Sequence, residues 1–384
     1  MARFAVFFVV MISLMIGLGF YVGVRLIPVS WTPAARGLAW AVLALLIAVQ
    51  PAAMASRFVF GRSIDVLSWV GFLSMGLFVL ALTGTLLRDL AWLGVRAGGG
   101  LPVDESRRQA LFDSTSAAVL ALAGAAGALG LVRALSRPSI VFVTVPIANL
   151  PAALEGFTIA QISDVHVGPL IKKSFIEAIV TTVNSIDADL IAVTGDIVDG
   201  SVLELRGHTA PLAGLRARHG AFFVTGNHEY YSGALEWIAE MQRLGITALV
   251  NSHTVIDHDG APVVIAGVTD HQAGGLMPEH ESDPHLAMAG APLHALKVLL
   301  AHQPRSAYQA EKAGFDLQLS GHTHGGQLFP ATLLVRLLQP FVEGLHRLGS
   351  MWVYTNRGTG YWGPPMRHTS SPSEVTKLVL VRLT

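Results

Sequence analysis

Residues 317–329 read LQLSGHTHGGQLF. A short apolar run stops at Gly321, two histidines follow one residue apart, and a glycine pair closes the segment. Apolar runs of this length bounded by glycine mark β-strands. In an extended segment alternate side chains share a face, so His322 and His324 are expected to point the same way. The same arrangement recurs upstream. FTIAQIS (157–163) leads into Asp164-Val165-His166, DLIAVTG (189–195) into Asp196 with Asp199 after it, AFFVTG (221–226) into Asn227-His228-Glu229, and KVLLA (297–301) into His302. With IVFVTV (140–145) and PVVIAGV (262–268), these runs alternate with amphipathic and loop segments, the pattern of an α/β domain from residue 139 to 384. Strand ends are where such folds gather their ligands.

The gathered side chains are carboxylates, imidazoles and an amide oxygen, and the chain has no cysteine. That donor set suits Mn, Fe, Zn or Co and argues against a thiolate zinc knot. Gly195, Gly226 and Gly321 each precede a donor, where a residue without Cβ permits a sharp turn. Gly325 and Gly326 would let backbone approach phosphate oxygens closely. All 15 histidines lie beyond residue 165. His208, His219, His253, His258, His271, His280, His285, His294, His346 and His368 lack this strand-end setting and read as surface or loop residues.

Of the 384 residues 52% are hydrophobic and 14% charged, an imbalance that sits at the front of the chain. Residues 4–24, 37–55, 66–87 and 114–132 are each close to the ~20 apolar residues that cross a bilayer. A membrane domain over 1–138 with four transmembrane helices therefore precedes the α/β domain. The first stretch exceeds the ~7–15 residues of a signal-peptide core and no small-residue cleavage site follows it. None of the four interiors holds a charged residue or a histidine, which argues against a transporter. In the fourth, Ala123/Gly127 and Ala126/Gly130 repeat at four-residue spacing, a pattern open to close helix–helix association. Flanking arginines nearly balance across the two sides, so the positive-inside rule selects neither. A net charge of +0 leaves no electrostatic footprint for nucleic acid.

Taken in order, DVH (164–166), GDIVD (195–199), GNHE (226–229), His302 and GHTH (321–324) resemble the signature of the calcineurin-like metallophosphoesterase family. The resemblance covers roughly residues 140–384 and leaves the membrane stretches outside it. It implies a four-layer α/β fold, a β-sandwich of two mixed sheets flanked by helices. It further implies two divalent metal ions, with Asp164, His166 and His324 on one, Asn227, His302 and His322 on the other, and Asp196 bridging. His228 matches the family's histidine beside the metals, which would protonate the leaving group, and Asp199 and Glu229 stand where they would orient the donors. Paired metals activate water and neutralise charge on a phosphoryl group, so the implied reaction is phosphoester hydrolysis. All seven metal positions carry donor side chains, which argues against a non-catalytic scaffold.

The GHTHGGQ ending looks most like a membrane-associated bacterial subgroup that includes phosphodiesterases and UDP-2,3-diacylglucosamine hydrolases of lipid A synthesis. That implies a bacterial inner-membrane enzyme acting on a phosphodiester or pyrophosphate, a lipid-linked one included. A phosphomonoester or another soluble substrate stays open. Two regions bear on the substrate. Leu333, Leu334, Leu337, Leu338, Phe341 and Leu345 recur at helical spacing around a proline, as a core-packing helix or as a lip entering the bilayer. Arg357 and Arg367 flank Tyr361 and Trp362, and either guanidinium could clamp a phosphate or sit solvated in a surface loop.

Overall fold

The computed structural model describes residues 2–60, 63–100, 104–368 and 370–383. The chain divides into two compact units, Met1–Val132 with Gly363–Met366, and Arg133–Trp362 with Arg367–Thr384. The first unit contains helices α1 (Ala2–Leu26), α2 (Pro33–Phe60) and α3 (Asp65–Ala97), and most of α4 (Glu105–Leu135). All four are long and apolar enough to cross a membrane. Small residues sit at their crossings. A Cβ on Gly71 would strike Ala53 of α2, one on Gly84 Val119 of α4, and one on Gly127 Leu77 of α3. Close backbone approach, with its dispersion gain, is what small residues supply where lipid removes the hydrophobic drive. Gly127, from the expected small-residue stripe, thus packs inside this bundle.

Among the described residues of the second unit, strands β1 (Ser139–Ile147), β2 (Thr158–Ile162), β3 (Leu190–Val193), β4 (Ala221–Phe223), β5 (Thr247–Ala248) and β6 (Ser252–His258) are followed by six more. These are β7 (Ala261–Gly267), β8 (Leu296–Leu300), β9 (Leu317–Ser320), β10 (Gly344–Leu348), β11 (Met351–Thr355) and β12 (Glu374–Arg382). Helices α5 (Lys173–Asn184), α6 (Val202–Thr209), α7 (Asn227–Ser232), α8 (Ala234–Arg243), α9 (Pro284–Met288), α10 (Ala307–Ala313) and α11 (Ala331–Leu338) connect them. One sheet runs β1-β12-β2-β3-β4-β5 and the other β10-β11-β9-β8-β7-β6. Both are mixed: β2, β3 and β4 are parallel, as are β7, β8, β9 and β11, while β12 runs antiparallel to β2, and β6 to β7.

Strand alternation builds the layers. Leu190 and Ala192 of β3 and Val263 and Ile265 of β7 enter one buried cluster shared by both sheets. Their neighbours Ile191 and Val193 pack outward with Ile176, Ile179 and Val183 of α5, and Val264 and Ala266 outward with Ala307 and Ala310 of α10. Successive side chains face opposite ways, so strands apolar at every position must be covered on both faces. The result is helix, sheet, sheet, helix, as the resemblance implies.

Five strands fall outside the apolar runs noted in the sequence: β5, β6, β10, β11 and β12. β5 has two residues, while β6 and β10 are sheet edges whose partial exposure dilutes the apolar signal. Two further expectations need correction. His258 is buried in β6, its Nδ1 2.9 Å from Nε2 of His219, because β6 folds it against Phe157. The core-packing reading of the apolar stripe also fails for its first four leucines, while Phe341 packs against the outer core cluster of its sheet. Leu333, Leu334, Leu337 and Leu338 occupy α11, which buries none of its residues, and Leu337 is 83% exposed. Beyond the proline break, Leu345 enters β10 and packs toward the inter-sheet core instead.

Candidate metal centre

The parallel runs bring the C-terminal ends of β2, β3 and β4 to one edge of their sheet, and those of β8 and β9 to one edge of the other. All the candidate donors lie just past these ends. They are not extended, as the alternation argument assumed. Asp164, His166, Asp196, His322 and His324 all adopt left-handed backbone, with φ of 52°, 58°, 54°, 72° and 52°. For residues with a Cβ that conformation costs on the order of 1 kcal/mol or more each and persists only where surrounding contacts enforce it. Those contacts are visible. Both carboxylate oxygens of Asp164 lie 2.9 Å from the His322 amide that donates to them, and Asp196 Oδ1 accepts from the amide of His228 at 2.9 Å. Each motif holds its neighbour's backbone.

The donor atoms converge. Asp164, His166 and His324 form one group, His166, Asp196 and His228 a second, and Asp196, His302 and His322 a third, with ligand atoms within 4.8 Å of one another in each. His166 Nε2 stands 3.1 Å from His324 Nε2, His302 Nε2 3.2 Å from His322 Nδ1, and Asp196 Oδ2 3.1 Å from His302 Nε2. His302 Nδ1 donates to the Thr194 carbonyl at 2.8 Å, which leaves Nε2 turned inward as a lone-pair donor. Asn227 Oδ1 is buried without a hydrogen-bond partner among the described residues. A buried amide oxygen left bare costs about 1–3 kcal/mol, which a cation at that point would offset. Convergent nitrogens and oxygens with an uncommitted carbonyl among them fit divalent cations.

Asp199 and Glu229 have distinct tasks. Asp199 Oδ1 lies 3.0 Å from His166 Nδ1 and 2.6 Å from His228 Nδ1, so one carboxylate orients both rings. Glu229 is fully buried and accepts the amides of Gly226, Asp196 and Ile197 at 2.6, 2.9 and 2.7 Å, tying the GD turn to the GN turn. Burial, with the charge of Asp196 behind it, pushes the Glu229 carboxyl up to about 7. For His228, burial opposes the charged form, but the Asp199 hydrogen bond and the charges of Asp196, Asp199 and Glu229 outweigh it and raise the ring to about 9.

Trp362 and Tyr231 complete the rim, a feature residue types alone did not identify. The Trp362 ring is 5.5 Å from His228 and 6.4 Å from His166, and Tyr231 is 5.4 Å from His228. Trp362 is 52% exposed, and Gln327 clasps its backbone, donating to the carbonyl at 2.8 Å and accepting the amide at 3.0 Å. The two arginines are committed elsewhere. Arg357 pairs through Nε and Nη2 with Glu374 Oε2, 2.6 Å each. Arg367 is 1% exposed and donates to the carbonyls of Arg357, Gly358, Gly360 and Ser371, burial bringing its pKa down to about 10. Its expected role as a phosphate clamp is corrected accordingly: with its N–H groups turned to loop carbonyls, it braces the loop behind His324.

Residues 157–326 match the profile of the calcineurin-like phosphoesterase family. The chain is similar to a zebrafish (Danio rerio) transmembrane protein with metallophosphoesterase domain, 40% identical over 259 residues, spanning 65% of this chain and 59% of that protein. A cattle (Bos taurus) protein of the same description is 37% identical over 302 residues, or 76% of this chain and 67% of the relative. An uncharacterized metallophosphoesterase of Helicobacter pylori is 35% identical over 254 residues, 66% of each chain. Fold, strand-end donors and these likenesses agree: the chain belongs to the calcineurin-like metallophosphoesterases, a family of metal-dependent hydrolases of phosphoester bonds.

Proposed function

We propose that this chain is a membrane-anchored phosphoesterase with a two-metal centre, acting on a phosphodiester or pyrophosphate bond. The convergence of donors around Asp196, with the bare Asn227 oxygen among them, carries the reading. Asp164, His166 and His324 would hold one cation, Asn227, His302 and His322 the other, and Asp196 both. Bound cations would supply Lewis-acid polarisation of the phosphoryl group and an activated water. His228 holds a proton on Nδ1 against Asp199 and turns Nε2 toward the rim, 4.0 Å from Asp196 Oδ2. Its side chain is 16% exposed, enough to reach a leaving oxygen and hand it a proton.

The expected result for His228→Ala follows from that role. Turnover of an alkyl phosphodiester should fall by about 10²–10⁴-fold, whereas a p-nitrophenyl diester, whose leaving group departs without a proton, should lose less than about tenfold. Equal losses on both would remove His228 as the proton donor.

Within this reading, the exposed leucines of α11 favour a lipid-linked substrate. The helix begins five residues after Gly326, against which Thr332 packs, so its first turn adjoins the metal loop. An uncovered leucine face on a chain that carries four membrane-crossing helices is suited to dip into the bilayer beside its substrate. Leu333→Lys/Leu337→Lys should reduce hydrolysis of a vesicle-embedded phosphoester by at least about tenfold, since tenfold is about 1.4 kcal/mol and one fully buried leucine contributes about 1.5–3 kcal/mol, and leave a soluble diester unchanged. Unchanged activity on the vesicle substrate would favour a soluble one.

A further inference from the structure

We propose that the membrane unit has its own binding site for an anionic phospholipid, at the end of the bundle where α3 finishes and α4 begins. A cavity of about 520 Å³ lies there, lined by Arg25, Asp89, Trp92, Arg96, Arg108 and Phe112 among others. Its wall is built around a partly buried ion cluster. Arg88, 7% exposed, donates through Nε and Nη2 to Asp89 Oδ1 at 3.1 and 2.9 Å, and through Nη1 to Ser116 Oγ at 2.5 Å and the Arg25 carbonyl at 3.1 Å. Asp89 Oδ2 accepts from Arg25 Nε and from Tyr21 Oη, both at 2.6 Å. Phe112 lies under both guanidiniums, 5.1 Å from that of Arg25 and 4.4 Å from that of Arg88.

One carboxylate between two arginines leaves a positive charge uncompensated. At the mouth Arg108 pairs with Glu105, and Arg96 has no ion pair among the described residues. Three arginines and two carboxylates therefore line a cavity with two aromatic walls, and Arg88 adds its charge from behind Asp89.

Depth identifies the anion as a lipid headgroup. The apolar run of α3 ends at Leu87, and the 22 residues of 66–87 span about 33 Å at 1.5 Å each, roughly the hydrocarbon thickness. Arg88 and the residues after it thus stand at headgroup level, where tryptophan also accumulates. An apolar groove of about 590 Å³ is lined by residues of all four helices, among them Leu26, Val42, Phe78 and Leu120, the last two lying deeper on α3 and α4 than Asp89 and Phe112. A cationic, aromatic-walled pocket above an apolar groove is complementary to a phosphate ester carrying acyl chains. The site depends on no residue of the metal centre.

The test uses the full-length protein in detergent micelles, with its Tm read after adding phosphatidylglycerol, phosphatidylcholine of matched chains, or inorganic phosphate. Phosphatidylglycerol should raise Tm by roughly 3 °C more than phosphatidylcholine, and phosphate alone should have little effect. Arg96→Gln/Arg108→Gln changes two exposed side chains, so the fold should stand, with Tm in phosphatidylcholine unchanged and the phosphatidylglycerol increment lost. Equal response to the two lipids, an increment that survives in the double variant, or a full increment from phosphate alone would each overturn the proposal.

Discussion

Asp196→Ala should leave a folded, membrane-inserted chain whose phosphoester hydrolysis has fallen by more than about 10³-fold, upward of about 4 kcal/mol of transition-state stabilisation. Asp196 is shared by two of the three donor groups, its Oδ2 3.1 Å from His302 Nε2 and 4.0 Å from the Nε2 of both His166 and His228. Removing it withdraws the carboxylate that would serve both proposed cations. Its Oδ1 also accepts the His228 amide, so the proposed proton donor loses its anchor in the same step. Asp199→Ala removes the carboxylate that orients the imidazoles of His166 and His228, and orienting residues of that kind cost about 10–100-fold. The measurement pairs hydrolysis of a nitrophenyl diester with the metal content of the purified protein. Full turnover by Asp196→Ala, or two retained equivalents of metal, would remove the two-metal arrangement.

Gly226→Ala should be nearly as damaging, although it adds one methyl group and disturbs no dihedral. Gly226 sits at φ −96° and ψ −174°, extended backbone that alanine adopts freely. The obstacle is the neighbouring turn. A Cβ at Gly226 would lie 2.6 Å from the Asp196 backbone nitrogen and 2.8 Å from its Cγ, and Asp196 cannot retreat because Glu229 holds that same amide. Overpacking of this kind costs about 1–3 kcal/mol, here concentrated on a proposed metal ligand. Tm is expected to fall by roughly 5 °C, with metal content and activity falling together. Gly207→Ala is the control: Gly207 lies exposed in α6 with nothing near its Cβ position, and alanine there should be neutral or stabilising by up to about 1 kcal/mol. If the two variants behave alike, the contact between the GD and GN turns is not what holds the site.

Much of this was legible in the sequence because burial on both faces leaves a local mark. Runs such as IAV at 191–193 and VVI at 263–265 are apolar at every position, and only a strand covered on both sides reads that way. The donors were legible for the same reason, standing where such runs stop. α11 misled because a leucine stripe looks the same whether its partner is a core or an outside surface. His258 misled because edge strand β6 carries only weak alternation.

By itself, then, the sequence determined the strand runs of the core, the four membrane-length helices and the chemical identity of every candidate donor, since each follows from residue type and short-range periodicity. Tertiary structure decided which donors meet. His166 and His324, 158 positions apart, stand 3.1 Å from each other only because β2 and β9 belong to sheets packed face to face. It also decided the left-handed backbone at five of the donors and the commitment of Arg367 to loop carbonyls. No local pattern specifies such features. A strained φ or a buried guanidinium is stable only when contacts from distant segments outweigh its cost, and those contacts exist only once the sheets have closed.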